Sequence, residues 1–246
     1  MCLHGFTDTW RTWELILPPI ERYHEVLAPT LAGHAGGPAL PDAPTRAALA
    51  ECIERQMDAA GFATAHMVGN SLGGHLALDL AARGRARSVV ALSPAGGWER
   101  SDEWFADMIR GFLATHEDKR AAAAHAASLM ATREGRRRAT RSTAMSWEHI
   151  PADLLEHQLV GAAACAVPEL VDLALREGYS LDAEQITCPV RIIWGADDQL
   201  LPLPRAAVRY RRLLPLAEWI ELDGVGHCPQ LDIPTEAAQL ILDGTR

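Results

Sequence analysis

The stretch Gly69-Asn70-Ser71-Leu72-Gly73-Gly74 decides the fold. It follows an apolar run, His66-Met67-Val68-Gly69, and leads into a helical run over residues 76–83, so a G-x-S-x-G turn lies between a strand and a helix. Such a turn strains the backbone and projects the serine Oγ from the end of a sheet. Its glycines stand where side chains would collide with the adjoining strand and helix. Ser71 is therefore the candidate nucleophile.

On either side of this turn, short apolar runs bounded by turn residues recur at 24–28 (H-E-V-L-A), 66–69, 88–92 (S-V-V-A-L), 190–194 (V-R-I-I-W) and 218–222 (E-W-I-E-L). Most are near-continuously apolar, as parallel strands buried on both faces are. Between the first two, residues 45–61 place Leu49, Cys52, Ile53, Gln56, Met57 and Ala60 at helical spacing, with Thr45 as N-cap and Gly61 as stop. Strand, helix and strand in succession predict a parallel sheet flanked by helices. The alternation breaks from residue 97 to about 185, where only helical signals occur. Ser101 is placed to cap a helix with the apolar stripe Trp104, Phe105, Met108, Ile109, Phe112 and Leu113, and Pro151 and Pro168 read as first-turn prolines. The expected organisation is a core in two parts, 1–96 and 187–246, with an all-helical cap over 97–186. The basic run Arg133, Arg136, Arg137, Arg138 and Arg141 within the cap reads as a solvated helix face.

A serine hydroxyl needs a base to take its proton, and the base needs a third group to fix its tautomer. His227, in Gly224-Val225-Gly226-His227-Cys228-Pro229, alone among the histidines follows the last strand and is the candidate base. The acid is sought after the preceding strand, in Trp194-Gly195-Ala196-Asp197-Asp198-Gln199, where two adjacent carboxylates compete and only one can face the imidazole. Near the start, Leu3-His4-Gly5-Phe6 reads as a strand end entering a loop; the amides of Phe6 and Leu72 are the expected oxyanion donors. His4 reads as an imidazole bracing that loop. Cys228, beside His227, reads as a small packing residue.

With 246 residues, 48% hydrophobic and 22% charged, the chain can bury a sizeable core without metal or disulfides. A formal charge of −9 disfavours phosphate backbones and anionic membranes, so neither nucleic acid nor a membrane is expected as a partner. Five scattered cysteines with no C-x-x-C pair argue against a disulfide framework or zinc site, and a reducing cytoplasm is the expected compartment. No run approaches the roughly 18 apolar residues of a membrane span, and no signal-peptide pattern opens the chain. Lys119 is the only lysine among 23 basic residues and falls in the charged stretch 116–120, where nothing in the sequence suggests burial; Schiff-base chemistry would have to rest on it.

Taken together these segments resemble the α/β-hydrolase superfamily, specifically enzymes with a helical cap between the sixth and seventh strands. The resemblance spans almost the whole chain and rests on L-H-G-F at residues 3–6, A-P-T-L-A-G-H at 28–34, G-N-S-L-G-G at 69–74, W-G-A-D-D at 194–198 and G-V-G-H-C-P at 224–229. It implies Ser71, Asp198 and His227 as the catalytic triad, because relatives place the acid last in a G-x-x-D turn; Asp197 is then a solvent-facing turn residue. It implies no cofactor and no metal. Relatives carry two strands and most of a third before the H-G motif, whereas three residues precede His4 here, so N-terminal strands look missing and the natural polypeptide is expected to begin upstream of Met1.

Serine at 71 argues against the branches that attack with a carboxylate, the epoxide hydrolases and haloalkane dehalogenases. The expected substrate is a small molecule, an ester of a small or medium apolar carboxylic acid, cleaved through an acyl-enzyme by a monomer or homodimer. Trp104, Phe105, Phe112 and Trp147 are the expected apolar lining of the pocket. The alternatives are carbon-carbon bond hydrolysis of ring-cleavage products, a perhydrolase or haloperoxidase-like activity, and a small-molecule receptor on the same scaffold.

Overall fold

The computed structural model describes residues 1–245. Five strands form one parallel sheet in chain order: β1 (Cys2–Leu3), β2 (Ala65–Asn70), β3 (Ala86–Leu92), β4 (Val190–Gly195) and β5 (Glu218–Leu222). Successive side chains leave opposite faces, so Met67, Val89, Ala91 and Ile192 enter one apolar cluster while Val68, Val90, Leu92 and Ile193 enter another. That two-sided burial is why these strands read as unbroken apolar runs.

The helices are α1 (Leu17–Ile20), α2 (Arg46–Ala59), α3 (Leu72–Ala82), α4 (Glu103–Ala123), α5 (Ala126–Met130), α6 (Arg133–Thr140), α7 (Ala152–Ala163), α8 (Val167–Glu177), α9 (Leu203–Ala206), α10 (Val208–Leu213), α11 (Pro229–Asp232) and α12 (Pro234–Asp243). α2 and α3 cover the first face through Leu49, Ile53, Met57 and Leu76, and α1 and α12 cover the second through Ile20, Ala238 and Ile241. Thr45 caps α2 by accepting the Ala48 N–H. No single helix among the described residues is long and apolar enough to cross a membrane.

Between β3 and β4 the described residues form helices only, α4 to α8 and one short 3-10 turn at Ala183–Gln185. Asp102, not Ser101, caps α4, its side chain accepting the Trp104 N–H. Pro151 is the N-cap of α7 instead of lying in its first turn, whereas Pro168 does fall in the first turn of α8.

Residues 24–28, read as a strand, form none. They run beside β1 and give it one backbone bond among the described residues, from the Cys2 N–H to the Leu27 carbonyl at 2.8 Å. A partner of two residues offers too little ladder to hold a longer strand, whatever the apolar content of the run.

Candidate active site

Ser71 sits between β2 and α3 at φ 53° and ψ −115°, a conformation that non-glycine residues rarely adopt. The turn is tight because backbone passes where side chains would be. A Cβ at Gly69 would lie 2.1 Å from the Gly73 carbonyl oxygen, and one at Gly73 would lie 2.0 Å from that of Leu3. Ser71 stands at the N-cap position of α3, yet its hydroxyl makes no capping bond and stays available for other chemistry.

His227 is 3% exposed and follows β5 on the loop leading to α11. Its Nδ1 lies 2.8 Å from Asp198 Oδ2. The other Asp198 oxygen accepts the N–H groups of Leu200 at 2.9 Å and Leu201 at 2.7 Å, which locks the carboxylate in place. Asp198 therefore faces the imidazole, while the exposed Asp197 accepts the Gly224 N–H at 2.9 Å and steadies the turn. With Nδ1 facing a carboxylate, the ring carries its proton there and presents Nε2 as a base. Nε2 is buried and has no hydrogen-bond partner among the described residues. Ser71 and His227 line one cavity, so the structure brings them together with Asp198 behind.

The loop after β1 lies against the same turn: a Cβ on Gly5 would stand 3.4 Å from the Ser71 Cβ. Phe6 follows Gly5 in a turn closed by the Asp8 N–H on the Gly5 carbonyl at 3.3 Å, with Thr7 at φ 65°. Leu72 is the first residue of α3, where amides have no intrahelical acceptor and the dipole favours negative charge. Neither the Phe6 nor the Leu72 amide meets an acceptor among the described residues. His4 is fully spent: its Nε2 accepts the Leu31 N–H at 2.9 Å, its Nδ1 lies 2.8 Å from the Gly5 carbonyl, and burial drives its pKa well down, so it stays neutral.

Several residues that the sequence did not single out complete the arrangement. Asn70 Nδ2 donates to the carbonyls of Leu92 at 3.1 Å and His227 at 3.0 Å, tying the end of β3 to the histidine loop. Its Oδ1 accepts the buried Cys228 thiol, whose pKa burial pushes well up; Cys228 is a packing residue here. Asp232 accepts the N–H groups of Gly226 at 2.6 Å and of Met145 at 2.9 Å, anchoring that loop to the segment before α7. Asp8 accepts the Thr9 N–H and the Gln158 amide, and burial raises its pKa to about 6 against the relief those bonds give. Position in the motif was the only hint for Asn70. Asp8 and Asp232 gave no sequence signal.

Two chambers meet at Ser71. The narrow one, about 60 Å³, is walled by apolar residues such as Leu72, Met108, Ile109 and Val171; the wide one, about 630 Å³, holds His227. Phe6, Phe112 and Leu200 line both. Of the four aromatics expected over the pocket, Phe112 alone reaches it, stacked edge-to-face on Phe6 at 4.8 Å. Phe105 is fully buried and stacks on Trp98 at 4.3 Å. Trp104 is turned outward, with the Arg205 guanidinium over its ring at 5.4 Å. Trp147 packs with Met130, Ile150 and Leu231 in a separate cluster. A helix of period 3.6 spreads an apolar stripe over two neighbours, and only part of it faces the cavity.

Residues 1–234 match the family described as alpha/beta hydrolase fold. The chain is 35% identical over 201 residues to the epoxide hydrolase EphH of Mycobacterium tuberculosis (strain ATCC 25618 / H37Rv), covering 79% of this chain and 92% of that protein. It is 30% identical over 258 aligned positions to a pimeloyl-[acyl-carrier protein] methyl ester esterase of Aromatoleum aromaticum (strain DSM 19018 / LMG 30748 / EbN1), covering 99% and 96%. Among solved structures, a bacterial membrane phospholipase A superposes with a TM-score of 0.74 at 26% identity, over 100% of this chain and 78% of that one. The 2-hydroxy-6-oxo-6-phenylhexa-2,4-dienoate hydrolase of Rhodococcus sp. strain RHA1 gives 0.76 at 20% identity, over 99% and 88%, a likeness of fold. A family match over nearly the full length, and relatives aligned over most of theirs, establish that the chain belongs to the α/β hydrolases and is a hydrolase.

Proposed function

We propose that this protein is a serine hydrolase that cleaves an ester of a short apolar carboxylic acid through an acyl-enzyme. His227 Nε2 takes the proton from Ser71 Oγ as that oxygen attacks the carbonyl carbon, and Asp198 stabilises the imidazolium. The Phe6 and Leu72 amides receive the charge that develops on the carbonyl oxygen. His227 then gives its proton to the leaving alcohol, and water, deprotonated by the same ring, releases the acid. The observation that carries the reading is the buried 2.8 Å contact from His227 Nδ1 to Asp198, which leaves an unpartnered Nε2 on a histidine that lines the cavity with Ser71.

Epoxide opening through a covalent ester, the reading the mycobacterial relative invites, needs a carboxylate where this chain has Ser71. Carbon-carbon bond hydrolysis is the second reading, supported by 32% identity over 102 residues to a 2-hydroxymuconate semialdehyde hydrolase of Pseudomonas sp. (strain CF600). A fluorophosphonate probe tests the nucleophile: the folded protein is expected to label, and Ser71→Ala is not. Labelling that survives in Ser71→Ala overturns the assignment. A panel of 4-nitrophenyl esters beside a vinylogous diketone then separates the two bond types.

A further inference from the structure

Lys119 does not lie where its charged surroundings in the sequence suggested. On α4 it turns inward, half-buried, with its ammonium 5.5 Å from the Phe112 ring centroid, in the wall of the wide chamber that also holds Ser71 and His227. Among the described residues its recorded neighbours are the Phe112 ring and the Cys165 thiol, with no carboxylate paired to it. Desolvation lowers its pKa, and the one titratable neighbour acting on it is the Cys165 thiol, which burial holds at about 12 and therefore uncharged. The carboxylates in the same wall are not its partners: Asp8 is taken up by Thr9 and Gln158, and Asp118 is exposed. An ammonium drawn partly out of water without a counter-ion is unfavourable, and an anionic ligand would supply the missing charge.

The chambers also fix a direction. His227 lines the wide chamber and is absent from the walls of the narrow one. In acyl transfer the proton on His227 Nε2 goes to the leaving oxygen as the bond from acyl carbon to that oxygen breaks, so the leaving alcohol sits on the histidine side. The acyl chain then enters the apolar slot, whose volume of about 60 Å³ suits a short chain. Resting on the ester-hydrolase reading, we infer that the substrate joins a short apolar acid to an alcohol bearing an anionic group, carboxylate or phosphate, which Lys119 binds in the wide chamber.

The test compares butyrate esters of 4-cresol, 4-hydroxybenzoate and 4-hydroxyphenyl phosphate, with methyl hydrogen succinate as an ester whose charge lies on the acyl side. The wild-type ratio of kcat/KM for an anionic over the neutral aryl ester is expected to fall about ten- to a hundredfold in Lys119→Met, mainly through KM, and to be largely restored in Lys119→Arg. The aryl ester with the larger fall tells carboxylate from phosphate. An unchanged ratio, an equal loss on all esters, or a loss confined to methyl hydrogen succinate overturns the inference. If the wild type cleaves none of these esters, the hydrolase reading fails separately, and calorimetry on Ser71→Ala still decides the anion site. There 4-hydroxybenzoate or 4-hydroxyphenyl phosphate should bind at least about tenfold more weakly after Lys119→Met; absent or unaltered binding of both overturns it.

Discussion

Ser71 is held at φ 53°, a conformation that costs on the order of 1–3 kcal/mol and persists because Gly69 and Gly73 let backbone close in around it. Its hydroxyl is spared from capping α3, and the proton it must shed goes to His227, whose positive charge is then stabilised by a carboxylate fixed by two amides. Ser71→Ala or His227→Ala should lower kcat by about 10⁴ to 10⁶, and Asp198→Asn by about 10³ to 10⁴, measured on a 4-nitrophenyl ester. Asp197→Asn should be nearly silent, and a reversal between the two aspartates would reassign the acid. Asp8 makes a prediction about stability. Its carboxyl titrates near 6 in the fold against 3.8 for an unperturbed one, because burial penalises the anion. Between those values the folded state holds the proton more tightly than the unfolded state, so stability declines as pH rises from about 4 to 6 and stays reduced above. Asp8→Asn should therefore stabilise the protein by about 1–3 kcal/mol at pH 8 and by little at pH 4, read from urea midpoints of variant and wild type at each pH. Equal differences at both pH values would contradict the buried-carboxyl account.

α7 grips the loop that carries the Phe6 amide. Gln158 donates to Asp8, His157 Nε2 lies 3.0 Å from Thr9 Oγ1, and Asp153 pairs with Arg11 at 3.1 Å, all from one face of the helix. Loosening that grip should move the oxyanion donor more than it moves substrate. Gln158→Ala is expected to lower kcat roughly tenfold with little change in KM, a change of about 1.4 kcal/mol in transition-state binding alone; a pure KM effect would place Gln158 in substrate contact instead. α4 divides its aromatic residues between two tasks. Phe105, buried against Trp98, should cost about 3–5 kcal/mol on truncation to alanine, seen in thermal unfolding. Phe112, lining both chambers, should chiefly alter kcat/KM when truncated.

Across the whole molecule, what the sequence disclosed follows burial and distance along the chain. β2, β3 and β4 were legible because both their faces are covered, which leaves an unbroken apolar run, and α2 because Thr45 and Gly61 punctuate it locally. Residues 24–28 have the composition of a strand, but a strand exists only through its partner, and two residues of β1 supply none of useful length. Ser71 and His227 stood out because each sits in a glycine-marked turn; the choice between Asp197 and Asp198 depended on which neighbour's amides each would meet, a fact of three dimensions. Asn70 and Asp232 act across 157 and 87 positions, beyond the reach of any local pattern. The inward turn of Lys119 belongs to the same class, since its sequence neighbours point to solvent while its side chain faces the cavity.

Rapid acid quench of the protein with 4-nitrophenyl butyrate during the first turnover, followed by peptide mass mapping, reads the acyl-enzyme on Ser71 itself. The peptide carrying Ser71 should gain one butyryl group, coincident with a burst of nitrophenol, and the gain should vanish in Ser71→Ala and in His227→Ala. Butyrylation at another residue with full turnover, or an unaltered burst in either variant, would rule out Ser71 as the nucleophile or His227 as its base.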